Sequence, residues 1–91
     1  MTICIHIPAN LREFTGGLST VEVTGENVGE ALSQLCASYP SIRDRLLSAS
    51  GQLHSFVNIF VNGHSIRDLE DINTRLTEGA LLLIVPALAG G

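Results

Sequence analysis

The sequence contains no lysine: its basic side chains are five arginines, set against nine aspartates and glutamates for a formal net charge of -4. A chain this acidic is a poor ligand for nucleic acid, whose affinity rests largely on neutralised phosphates, and an anionic membrane surface would repel it. It suits a partner with a basic docking face. The absence of lysine also rules out self-linked chains through lysine. Two cysteines, Cys4 and Cys36, are too few for a disulfide framework, so a reducing cytoplasm is expected. No apolar run is long: Ala80 to Val85 falls far below the ~20 residues that span a bilayer. The first residues, MTICIHIPANL, have no basic region ahead of their apolar stretch, which argues against a signal peptide. Repeats, low-complexity stretches and linkers are also missing.

What is present is a chain of 91 residues, 45% hydrophobic and 15% charged, enough for one buried core and too little for two. Ile3, Ile5 and Ile7 alternate with Thr2, Cys4 and His6 until Pro8, the period of a half-buried strand. After a turn at Thr15-Gly16-Gly17, Ser19 to Thr24 reads as a second strand and completes a hairpin. The period then changes: Val28, Ala31, Leu32, Leu35, Cys36 and Tyr39 share one face of a helix. Asn27 is its expected N-cap, Glu30 is placed to reach back, and Pro40 ends it. Ser41 is expected to cap a short helix through Leu47, and Ser48 to Ser55 reads as a loop. Phe56 to Val61 is a strand, Asn62-Gly63 a type I′ turn signal, and Ser65 to Arg67 a short return strand. In the polar stretch Asp68 to Glu78, Ile72 and Leu76 are the anchors. Leu81 to Val85 is a continuous apolar strand, expected in mid-sheet or under a partner.

Two hairpins joined by a helix that covers one sheet face describe an α+β fold of the β-grasp (ubiquitin-like) type, with a mixed sheet of four to five strands. The element order alone does not exclude a ferredoxin-like arrangement, which needs a second full helix; Asp68 to Glu78 is short and polar for one. The expected division is a domain over 1–86 and a tail over 87–91.

That tail reads Ala87-Leu88-Ala89-Gly90-Gly91. A terminal diglycine arises by chance in about 0.5% of chains. An α-carboxylate is ionised and unreactive at neutral pH, so to be useful it must be activated in another protein's site. Glycine lets the backbone lie close to a nucleotide there. Five residues extend about 16–18 Å, enough to reach a buried site while the body stays outside. If Val57, Ile59 and Val61 face the helix, Phe56, Asn58 and Phe60 face away. By the same alternation Leu82 and Ile84 point in, and Leu83 and Val85 point out. Phe60, Leu83 and Val85 then form an apolar patch beside the tail, and such patches commonly dock partners. Cys36 reads as a buried inert thiol. His6, His54 and His64 have no metal-ligand spacing with each other or with the cysteines, so they read as surface or interface residues, and no metal site is expected.

The ending PALAGG, the TRLTEG stretch (Thr74, Leu76, Gly79), the turn at Val61 to Gly63 and Leu11-Arg12 before a Gly-Gly turn together resemble the ubiquitin-like sulfur-carrier family. That family includes the thiazole-synthesis carrier and the molybdopterin synthase small subunit. Within it, the length, Thr15-Gly16-Gly17 and Leu53 to Asn62 (LHSFVNIFVN) are most similar to the carrier serving cysteine biosynthesis or to related carriers for sulfur-containing metabolites. One departure is Ala80, where many members have an acidic residue.

The resemblance implies that the chain is a protein cosubstrate, with no catalytic residues and no bound cofactor of its own. A ubiquitin-activating-type adenylyltransferase and sulfurtransferase would use ATP to adenylate Gly91. Sulfide or a persulfide would then displace AMP and leave a thiocarboxylate. In the cysteine branch that sulfur attacks an aminoacrylate on a pyridoxal-phosphate, cysteine synthase-like enzyme, and a metalloprotease releases the product. Leu88, Ala89 and Gly90 would thread the partner's channel, and Phe60, Leu83, Val85 and Arg12 would form the interface. Two other readings share parts of the sequence: a ubiquitin-like protein modifier, which uses the same activation step, and a plain β-grasp interaction domain with an incidental diglycine.

Overall fold

A computed structural model describes residues 2–86. Alternation in the sequence becomes a five-stranded mixed sheet: β1 (Thr2–His6), β2 (Thr20–Thr24), β3 (Val57–Val61), β4 (His64–Ser65) and β5 (Leu81–Pro86), in the order β2-β1-β5-β3-β4. β5 runs parallel to β1 and antiparallel to β3; β2 and β4 are antiparallel edges. The first and last strands of the chain therefore lie side by side in the middle.

One face of the sheet makes the core. Ile3, Ile5, Val57, Ile59, Leu82 and Ile84 are buried there against Val28, Ala31, Leu32, Leu35 and Cys36 of α1 (Val28–Ser38). Each such aliphatic side chain stabilises the fold by about 1.5–3 kcal/mol relative to exposure. Ile42 and Leu46 of α2 (Pro40–Leu46) extend the core. α1 starts where Asn27 Oδ1 accepts the N–H of Glu30 at 2.8 Å. Glu30 reaches back one residue beyond the cap, and its Oε1 accepts from the N–H of Glu26 at 2.9 Å. At the tip of the β3–β4 hairpin, Asn62 and Gly63 have φ of 49° and 90°, the left-handed pair a type I′ turn requires. Asn62 also ties the hairpin to β5: its N–H donates to Leu81 O and its Oδ1 accepts from Leu81 N, each at 3.0 Å.

The structure corrects three local expectations. α2 begins at Pro40 with Tyr39 as its N-cap, so Ser41 lies inside it; a proline that stops one helix is also preset for the first position of the next. The return strand is His64–Ser65, and not Ser65 to Arg67, because Ser65 Oγ accepts the N–H of Arg67 and turns the chain into a 3-10 helix over Ile66–Asp68. Ala9–Thr15, between the first two strands, is a 3-10 helix for which no element was expected. β5 is the middle strand, as expected, and Leu81, Leu83 and Val85 on its uncovered face are 46%, 38% and 39% exposed. Ala80, the departure noted above, is buried, where a carboxylate would carry a large desolvation cost.

Candidate functional site

Strand register assembles the uncovered sheet face. Leu83 pairs with His6 on one side and with Phe60 on the other, so the three side chains form a row across β1, β5 and β3. Leu81 pairs with Cys4, and Val85 with Asn58, on the same face. The alternation falls where the sequence puts it: Val57, Ile59, Val61, Leu82 and Ile84 are buried, Leu83 and Val85 are exposed, and Phe60 is half-buried. Leu81 is a further member that the sequence reading left out, although its parity with Leu83 and Val85 marks it.

Polar side chains among the candidates are tied down by hydrogen bonds. Asn58 Nδ2 donates to Ser65 Oγ at 2.9 Å, and Asn58 Oδ1 accepts from Ile59 N at 2.8 Å. Arg12 is half-buried, and its Nε donates to the Ile7 carbonyl at 3.0 Å. Its own carbonyl accepts from Gly17 N and Thr15 Oγ1. Arg12 thus clasps the loop between β1 and β2. His6 lies at the end of the row with a buried Nδ1 that has no hydrogen-bond partner among the described residues.

The tail residues Leu88, Ala89, Gly90 and Gly91 lie outside the described residues. Pro86, which precedes the tail, is the last residue of β5 and pairs with Val57. The chain therefore leaves the sheet beside the start of β3, next to Val85 on the uncovered face.

Burial pushes the Cys36 thiol above its ordinary value, with Arg43 opposing in part, the behaviour of an inert core thiol. Cys4 is half-buried and free. No group of three or more His, Cys, Asp or Glu among the described residues is placed to hold a metal ion. No helix among them is long and apolar enough to cross a membrane. An open groove of about 870 Å³ runs beside α1, lined by Glu26, Ser33, Gln34, Ala37 and Ile72 among others. The Glu30 carboxylate at its edge is engaged in closing the helix cap.

Three comparisons bear on this arrangement. The model of the ThiS family matches residues 5–91. The sulfur carrier protein CysO of Mycobacterium tuberculosis is 40% identical over 93 residues, with the whole of both chains covered, and small archaeal modifier protein 3 of Haloferax volcanii is 33% identical over 93 residues with the same coverage. Among solved structures, the crystal structure of the Amycolatopsis orientalis BexX/CysO complex contains a chain with a TM-score of 0.89 and 34% identity, the match covering 98% of this chain and 99% of that one. These relatives are named as carriers and modifiers, and none as an enzyme.

Proposed function

This chain belongs to the ThiS family, and on that basis we propose that it is a sulfur carrier whose Gly91 carboxylate is converted to a thiocarboxylate. The observation that carries the reading is full-length identity of 40% to a named sulfur carrier protein, through to the ends of both chains. ATP would be attacked by the Gly91 carboxylate at its α-phosphorus, with pyrophosphate leaving and an acyl adenylate forming. Hydrosulfide would then attack the acyl carbon and expel AMP, giving –COS⁻. No redox change occurs in either step, and the proton of hydrosulfide is lost to solvent or to the partner. The chain's own part is to dock and to present its end; the chemistry belongs to a ubiquitin-activating-type adenylyltransferase. Cysteine biosynthesis is the destination we favour, with a pyridoxal-phosphate enzyme of the cysteine-synthase type taking the sulfur and a metalloprotease freeing the product.

In this reading Phe60, Leu83 and Val85 form the docking surface. Ordering four tail residues in a channel costs roughly 1–2 kcal/mol each in backbone entropy, and two glycines and an alanine have little apolar area to offset it. The affinity must come from the body, and the uncovered strip is where β5 delivers the tail. Arg12, whose Nε donates to the Ile7 carbonyl, is the polar member of the interface in this reading.

A second reading is favoured by one specific observation, the 33% identity to a small archaeal modifier protein: activated Gly91 would then be joined to amines of other proteins. Intact mass distinguishes the two. After incubation with ATP, sulfide and the adenylating enzyme, a carrier shows sulfur in place of one oxygen on the free chain. A modifier shows adducts on other proteins. An unchanged mass in both assays would overturn the carrier reading.

A further inference from the structure

The segment that enters β3 holds an exposed aromatic ring from two directions. Phe56 is 46% exposed. Its ring stacks on His54, with centroids 4.8 Å apart and planes 13° from parallel. His54 is itself fixed: Nε2 lies 3.1 Å from the Asp44 carbonyl oxygen, which can only accept, and its backbone N–H donates to Leu46 O at 2.9 Å. The backbone on either side of Phe56 is clamped by Arg67, whose Nη2 donates to Ser55 O at 2.7 Å and to Val57 O at 2.8 Å. A further bond from Val57 N to His54 O, at 3.0 Å, closes the turn. An isolated exposed hydrophobe is ordinary. One whose ring and flanking carbonyls are all held has already lost the freedom that binding would otherwise remove.

Its position says what it is held for. Val57, the next residue, pairs with Pro86, after which the chain continues for residues 87–91. Those five residues reach about 16–18 Å at most. A protein that accepts Gly91 in a buried site must therefore hold the body within about 16–18 Å of that site on the side of Pro86, whose strand partner Val57 directly follows Phe56. Resting on the carrier reading above, we propose that Phe56 is a preorganised anchor for the adenylating partner, seated against an apolar rim at the mouth of its channel, with His54 and Arg67 as positioning residues. Aromatic anchors of this kind dominate the energetics of protein interfaces. The rim it fits is apolar, because neither face of the phenyl ring offers a hydrogen bond or a full charge.

The test is ATP–pyrophosphate exchange by the adenylating enzyme, measured against carrier concentration for the unaltered chain, a Gly91 deletion, F56S, H54A, H54F and R67A. F56S is expected to raise the half-saturating carrier concentration at least about tenfold while leaving the rate at saturation within about twofold, the signature of a lost docking contact. H54A and R67A are expected to raise it by about threefold to fivefold, through lost preorganisation alone, and H54F, which retains a stacking ring, to restore it. Half-saturation unchanged in F56S overturns the proposal, as does loss of the native circular dichroism spectrum, which would make Phe56 structural. Exchange by the unaltered chain that vanishes on Gly91 deletion but ignores F56S overturns the anchor and spares the carrier reading. No exchange by the unaltered chain overturns both.

Discussion

Phe60 stands directly opposite Leu83 across β3 and β5, on the sheet face that the helices leave uncovered. Side chains so paired are ~4.5–5.5 Å apart at Cβ, and His6 on β1 extends the row from the other side of Leu83. The three strands that make this row are the three interior strands of the sheet, so a partner seated on it meets strands paired on both sides.

Phe60→Asp is expected to fold and to bind the adenylating enzyme at least about tenfold more weakly, with faster dissociation carrying most of the change. Surface-plasmon resonance gives the rate constants, and circular dichroism reports the fold. Native binding by a folded variant would place the docking surface elsewhere.

Asn27→Ala should be felt in stability alone. The side chain accepts the Glu30 N–H at 2.8 Å, and loss of such a cap costs about 1 kcal/mol. In a chain of this size that lowers the thermal midpoint by about 4–8 °C. Asn27→Asp keeps the acceptor and should stay near the parent. Equal midpoints for the alanine and aspartate variants in differential scanning calorimetry would remove the cap from the account.

Much of this fold was legible because local and global preferences agree. Ile3, Ile5 and Ile7 can only share one face of a strand, Val28 to Cys36 only one face of a helix, and Asn62-Gly63 only a turn. The uncovered face was legible for the same reason, since a parity of two leaves no choice between Leu82 and Leu83. The failures occur where one residue serves two purposes. Pro40 both stops α1 and starts α2, and Ser65 both ends β4 and caps a 3-10 turn. The helix over Ala9–Thr15 has no periodicity to read, because it buries only Leu11 and Thr15 and is held by Arg12. The clamp on Phe56 joins Asp44, His54 and Arg67, residues that only the tertiary fold brings together.

Cys36 gives a pH dependence of known sign. Burial raises its folded-state value above the ordinary 9.0, so the folded chain favours the protonated thiol more than the unfolded chain does. The associated stability is complete below that ordinary value and is lost as pH rises through the folded value. Urea unfolding should therefore show a decline beginning above about pH 9, and Cys36→Ala should lessen it. An identical decline in both proteins would assign it to other groups.

Deleting Gly91 separates the fold from the function most cleanly. Among the described residues the core runs from Ile3 to Ile84, and the truncated chain is expected to keep its thermal midpoint within about 1 °C, since chain ends commonly contribute little. Sulfur transfer should be abolished, because the new terminal carboxylate lies ~3.5 Å short of the adenylating site. One residue added after Gly91 should fail equally, by occupying the position of the reactive carbon. Gly90→Ala tests the channel itself: the added Cβ meets whatever lies against the backbone there, and pyrophosphate exchange should fall while docking persists. A Gly91-deleted protein that still acquires sulfur would show that the reactive group lies elsewhere in the chain, and Cys4, on the same face as Leu81, would be the first residue to test.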